Sequence, residues 1–436
     1  MTLTVSRSLL FGVSCLGLAC AGGVRTGAVA PAEIPGLVTQ ASQQPNNASV
    51  RFRLAAALMA AGRCDTAVVV ARAGQLLSPA DAIGPLVLGG CQEKDGRYDL
   101  AFATYTDFAA QHPQARGVAA VRAKALLALR TQAEQTARQA LARESTLTAL
   151  APEPSTLAVL PVTISGDSSF QPLSRGLAEL ITSDLAMVRT LRLLERVQIG
   201  ALLDELKLGR TQRGDPTTAA RVGRLLRAER MVQGVASITP NGPVRLSASV
   251  VRGDGTVRSG AQASGTFKEL LDLEKQLVFG LAAQLGIQLT DAERQRILRQ
   301  GPRNLAAFLA YSQGLDALDR GDYRGAAAAF SASVRADPSF QAAQQQQQAA
   351  EGAPAVQGGG DVVSAVEAVA EPATPPEPPT QGALESANNE TSPPPAGGLP
   401  AATGAESIKP KLTPESQGIN SVTQASGIIR IIFRRP

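Results

Sequence analysis

A hydrolytic triad or a histidine-rich metal site needs an imidazole and partners that orient it, and this sequence contains one histidine, His112, followed directly by Pro113. With no second histidine, neither arrangement can be assembled, and a capping or exposed role is expected. Gly253-Asp254-Gly255 and Gly358-Gly359-Gly360 lack the spacing and strand-to-helix context of a phosphate loop. Arg252-Gly253-Asp254 spells an adhesion tripeptide, but its surroundings fit a hairpin turn. Glu195-Arg196 and Glu205 fall at strand and helix ends, where salt bridging accounts for them without catalysis. No catalytic, cofactor-binding or metal-binding residue is assigned, and an enzyme such as a peptidoglycan hydrolase is disfavoured.

Cysteine carries what reactive chemistry remains. Cys15 and Cys20 fall in an N-terminal stretch where Arg7 precedes an apolar run from Leu9 to Cys20, too short to span a bilayer and right for the core of a signal peptide over residues 1–20. Leu16-Gly17-Leu18-Ala19-Cys20 resembles a bacterial lipobox with its leucine one place out of register, which makes Cys20 the candidate lipid attachment. Ala19-Cys20-Ala21 also fits ordinary small-x-small cleavage. Cys64 and Cys91 would sit in an export compartment that permits a disulfide, and buried free thiols fit equally well.

The elements that must position these residues begin with an internal repeat. Gly62, Ala67 and Pro79 recur as Gly96, Ala101 and Pro113, a shift of 34 residues, which is the tetratricopeptide period. The pattern returns at Gly321, Ala326, Phe330 and Pro338, with small Ala55, Gly89 and Gly314 at the equivalent close-packing position of each first helix. Gly-Arg-Cys-Asp-Thr-Ala, Gly-Arg-Tyr-Asp-Leu-Ala and Gly-Asp-Tyr-Arg-Gly-Ala resemble the inter-helix turn of that family. Residues 45–150 therefore read as helical repeats ending in a long helix over 117–144, and 303–348 as a third repeat. Such repeats leave a concave face for a partner or simply extend a core. An isolated helix pair buries too little surface, so the third is expected to dock on its neighbouring domain or on another subunit.

Between the repeats the periodicity changes. Leu157 to Val162 is too brief for a helix and reads as a strand. Leu173 to Val188 and Val197 to Leu208 have helical spacing, with a short strand at Leu191 to Leu194 between them. Asp215-Pro216 opens a third helix. Met231 to Ile238 and Val244 to Val251 alternate around Pro240-Asn241-Gly242-Pro243, a hairpin, and Asp254-Gly255 turns the chain into Val257 to Ser264. The order predicts an α/β domain with a mixed sheet over residues 155–300.

The strand AVLP, RGLAELITSDL, LRLLERVQIGALLDELKLG, DPTTAARVGRLLRAERMVQGVASI and RLSASVV together resemble the CsgG family of curli production assembly/transport proteins. That resemblance implies a periplasmic α/β domain and either an outer-membrane secretion channel or a partner of envelope machinery. A channel needs membrane hairpins with strands of about nine to eleven residues. The sole hairpin of suitable look, 231–251, has shorter strands with Arg245 inside one, and is expected in the domain's own sheet.

Arg221, Arg224, Arg227 and Arg230 form a basic row, expected to be a solvated face, although it would also suit an anionic partner. Aromatics are 3% with no Trp, which argues against nucleic acid. Residues 349–427, rich in Pro, Gly, Ala and Glu after the glutamine run 344–348, are expected to be a disordered linker. Residues 428–436 are β-prone and basic, fit to dock on a sheet edge of a partner or of this chain. The expectation is a non-enzymatic envelope lipoprotein of the periplasm, anchored to the outer membrane and acting on protein partners. The alternative is a homo-oligomeric, curli-like channel subunit.

Overall fold

A computed structural model describes residues 29–208, 215–239, 242–357 and 361–370. The leader with Cys20, the glycines 358–360 and the C-terminal stretch 371–436, including the basic end 428–436, lie outside the described residues.

The chain opens with helices α1 (Ile34–Gln43), α2 (Ala48–Ala60), α3 (Cys64–Leu77), α4 (Ile83–Lys94) and α5 (Tyr98–Gln111). In the pairs α2–α3 and α4–α5 the turn glycines Gly62 and Gly96 have φ of 75° and 72°, a left-handed conformation that other residues adopt only under strain. Ala67 and Ala101 are fully buried where the paired helices meet. Pro79 and Pro113 stand two residues past α3 and α5, where a residue without an N–H cannot continue the helix. A Cβ on Gly89 would overlap the ring of Tyr105 sixteen residues later; the first pair has two buried alanines, Ala55 and Ala71, at that spacing. Small-against-large packing thus alternates with small-against-small at one repeated position.

Helix α6 (Val118–Ala142) follows. At 25 residues and about 1.5 Å rise per residue it runs some 37 Å. Alanines recur on its buried side at 120, 123, 128, 133, 137 and 140. The first of these join the core of the repeats, whereas Ala137 and Ala140 join a core beneath the sheet.

After the short α7 (Glu144–Ala149) come β1 (Glu153–Val159), β2 (Thr163–Gly166), α8 (Leu173–Leu185), β3 (Arg192–Leu193), α9 (Arg196–Glu205), α10 (Pro216–Leu225), β4 (Ala228–Ile238), β5 (Val244–Arg252) and β6 (Val257–Gly265). They form a mixed sheet in the order β3-β1-β4-β5-β6, with β2 also on β4. The segment read as one strand from Leu157 to Val162 is broken at Pro161, since proline cannot donate to a ladder. The chain resumes as β2 on the same neighbour, Thr163 beside Val235. The hairpin 231–251 is the central pair of this sheet: β4 bonds β1 and β2 on one side and β5 on the other, and β5 bonds β6.

Helix α11 (Leu270–Gln284) covers one face through Leu273, Leu277 and Leu281. Its Lys275 reaches the buried Asp184 of α8 at 2.6 Å, beside the equally buried Glu274. Burial, and then the neighbouring Glu274 carboxyl, raise Asp184 well above the ordinary carboxylate range.

Helix α12 (Asp291–Arg299) leads to α13 (Leu305–Asp319) and α14 (Tyr323–Ala336), the third pair. Gly321 has φ of 77°, Ala326 is fully buried, and Pro338 stands two residues past α14. A Cβ on Gly314 would strike Phe330 at the same sixteen-residue spacing. This pair does not stand apart. Its Tyr311, Leu315 and Phe330 share one core with the first two pairs, while Phe308 joins the core of the sheet.

The expected disorder of 349–427 is corrected over its first part. Helix α15 (Gln341–Gln357) carries on past the glutamine run, and α16 (Val362–Ala370) follows. Ala349, Ala350, Ala353, Val356, Val362 and Val366 are buried. Composition was misleading because alanine and valine at helical spacing bury well against the small side chains of α6.

Candidate functional site

The most organised polar constellation lies where the sheet domain meets the third helix pair. Arg175, Gly176 and Glu179 share one side of α8, and Ser312, Asp316 and Asp319 share one side of α13. A Cβ on Gly176 would overlap the hydroxyl oxygen of Ser312, so glycine is what lets these helices cross at this separation. The Ser312 hydroxyl, fully buried, donates to the Phe308 carbonyl at 2.8 Å, which removes the penalty of an unpaired polar group.

Beside this crossing, Arg175 pairs with Asp316 at 2.9 Å and with Asp319. Arg196, buried at the start of α9, reaches Asp319 at 2.7 Å and Glu179 at 3.2 Å. Arg130 of α6 donates to the carbonyls of Leu318 at 3.3 Å and Asp319 at 3.1 Å. These carbonyls lie in the last turn of α13, where a cation is favoured. Three elements, α6, α8 and α9, therefore converge on the end of α13.

Burial pushes the Asp319 carboxyl up, but Arg196 and Arg175 pull it further down, to a net position below the ordinary carboxylate range. Burial would likewise loosen the proton of Arg196, and Asp319 and Glu179 more than reverse this. Every strong charge here is matched by an opposite one at short range. The arrangement fixes the relative position of two substructures.

Glu195 is the exception. Burial, and then Glu179, raise its carboxyl to about 7 against the offsetting pull of Arg196. A carboxyl whose folded value is raised contributes stability that is full below its ordinary range and disappears as pH rises to about 7. Glu195→Gln should therefore match the parent chain at pH 4 and be more stable at pH 8. With a discount for partial exposure, the gain is on the order of 2 kcal/mol. Urea unfolding at the two pH values reads it, and an equal effect at both would refute a charge-linked origin.

The basic row is partly exposed, as a solvated face would be, but each of its guanidinium groups has a partner. Arg221 makes a two-pronged pair with Glu144 at 2.7 and 2.8 Å. Arg224 donates to the Gly253 carbonyl at 2.6 Å, Arg227 to the Ala151 carbonyl at 3.3 Å, and Arg230 to the Leu285 carbonyl at 3.2 Å. The row stitches α10 and β4 to α7, the start of β1, the β5–β6 turn and α11. Arg252-Gly253-Asp254 is consumed in that turn, where Asp254 accepts from the Thr256 N–H at 2.8 Å.

Cys64 and Cys91 form a disulfide with 5.5 Å between their α-carbons, joining α3 to α4. His112 caps the end of α5, its ring 5.0 Å from that of Phe108. It borders a cavity of about 330 Å³ with Gln75, Pro85, Thr104 and Gln111, far in sequence from the junction. Among the described residues no group of three or more His, Cys, Asp or Glu side chains could hold a metal ion. No described helix is long and apolar enough to cross a membrane.

Gly62, Ala67, Pro79, Gly96, Ala101, Pro113, Gly321, Ala326 and Pro338 lie at helix-pair turns, interfaces and ends, and not in the junction. The junction residues themselves escaped the sequence, apart from the assignment of Glu195-Arg196 to salt bridging. The available signal was Arg175 and Glu179 one turn apart on one side of α8.

Residues 109–240 match the family model of the curli production assembly/transport component CsgG. The match takes in α6 to β4 and covers under a third of the chain. It supports a CsgG-like domain over this segment. No curated protein matches the chain. Among solved structures, the C-terminal domain of LpoB from Salmonella enterica is similar at 16% identity with a TM-score of 0.22, covering 28% of this chain and 92% of that one.

Proposed function

We propose that this protein is a non-enzymatic scaffold of the bacterial envelope, held to the outer membrane by a lipid on Cys20, on whose periplasmic side it assembles other proteins. The observation that carries the reading is the match of residues 109–240 to the CsgG model, in a chain whose helix pairs follow the tetratricopeptide spacing. Such pairs serve as binding surfaces, and here they are locked to the sheet through α6 and the Arg175–Arg196–Asp319 network. A second reading, an oligomeric subunit of a curli-like secretion channel, is favoured by the same match.

Purification from membranes in mild detergent, followed by light scattering, separates the two. A small species, released from membranes by Cys20→Ser, is expected for the scaffold. A large detergent-dependent ring would replace it with the channel, and unchanged membrane association of the Cys20→Ser chain would remove the lipid anchor.

A further inference from the structure

Helix α16 has nine residues, fewer than an isolated helix needs to persist in water. Its helicity therefore depends on what it packs against. It lies in a groove between α2, α4 and α6, with α15 alongside. Val362, Val363, Ala365 and Val366 are 6%, 7%, 5% and 8% exposed, an apolar stripe over little more than one turn. The groove is built to receive small side chains. Gly117 has φ of 80°, and a Cβ there would lie 2.7 Å from Val366 Cγ1, with the buried Ala82 beside it. Asp361 starts the helix, its Oδ2 accepting from the N–H groups of Ser364 at 3.3 Å and Val29 at 3.2 Å. Its other oxygen is buried with no hydrogen-bond partner, so this occupant fits the groove imperfectly.

In the sequence α16 follows Gly358-Gly359-Gly360, the residue type whose backbone loses most freedom on ordering. The described polar contacts from 361–370 to other parts of the chain reduce to the one from Asp361 to Val29. All else that holds it is non-directional apolar contact, which any helix of the same shape could supply.

We infer that the groove between α2, α4 and α6 is a recognition surface for a short apolar helix of a partner protein, and that α16 is its resident, displaceable occupant. The partner helix carries valine-sized or smaller residues at the positions of Val362, Val363 and Val366, after an acidic cap. Larger side chains opposite Gly117 are excluded. The inference goes beyond the scaffold reading and stands without it, since it rests on the groove and its occupant alone.

The probe is a fluorescein-labelled peptide of residues 361–370, titrated onto the full chain and onto the full chain carrying Val363→Asp and Val366→Asp. The released chain is expected to bind it at least tenfold more tightly than the parent, and a peptide with Val366→Phe to bind neither. In the parent chain, amides of 364–369 should exchange with deuterium at least a hundredfold faster than those in the middle of α6. Equal protection of α16 and α6 would overturn the inference even if the double variant did not fold. So would a folded double variant that ignores the peptide, or a dimer in which α16 crosslinks into a second copy.

Discussion

Asp319→Ala is expected to remove about 3–5 kcal/mol of stability, because it strips two guanidinium groups of their shared carboxylate and leaves the buried Arg196 with Glu179 alone. The comparison that gives this meaning is the double change Arg196→Met with Asp319→Leu. Replacing a buried ion pair by apolar groups of similar size is often neutral, so the double variant should be markedly more stable than Asp319→Ala. Urea midpoints for the parent, Arg196→Met, Asp319→Leu and the double variant close the cycle, with Asp319→Ala measured beside them. An Asp319→Ala stability within about 0.5 kcal/mol of the parent would mean that the join does not depend on this carboxylate, placing the mutation among ordinary surface changes.

Reduction of the Cys64–Cys91 bond is expected to lower stability by about 3–4 kcal/mol. The bond closes a loop with a sequence separation of 27, and the chain-entropy relation gives that order for a loop of this size. The enclosed element is α3, whose outward face leaves Val69 and Leu76 at 67% and 86% exposure. Fewer apolar contacts hold it than hold α4. Cys64→Ser with Cys91→Ser, measured beside the parent chain with and without dithiothreitol, tests this. The parent in reductant and the double variant should share one lowered midpoint, and a parent midpoint indifferent to reductant would refute a stabilising bond.

Much of the architecture could be read from local signals. The glycines at 62, 96 and 321, the alanines five residues on and the prolines beyond each mark a turn, an interface and an end, and the order of strands and helices from Leu157 to Gly265 was equally plain. What escaped was set by distant residues. Pro161 reads locally as part of one strand from Leu157 to Val162, and only the length of β4 shows that two strands lie along it. The arginines from 221 to 230 have helical spacing that suits a wet face, but their acceptors lie up to 77 residues away in sequence. The junction was hidden because Gly176 is informative only once Ser312 is opposite it. Alanine-rich 349–370 resembled a linker since its burial depends on α6, more than two hundred residues earlier.

The bond from the Val29 N–H to Asp361 ties the first described residue to the segment that enters α16. Val29 is nine positions beyond Cys20, and a fully extended backbone advances at most about 3.6 Å per residue. A lipid on Cys20 would thus act as a leash of roughly 30 Å or less, mooring α16 and its groove close to the bilayer surface and letting any partner helix be met there and not deep in the periplasm.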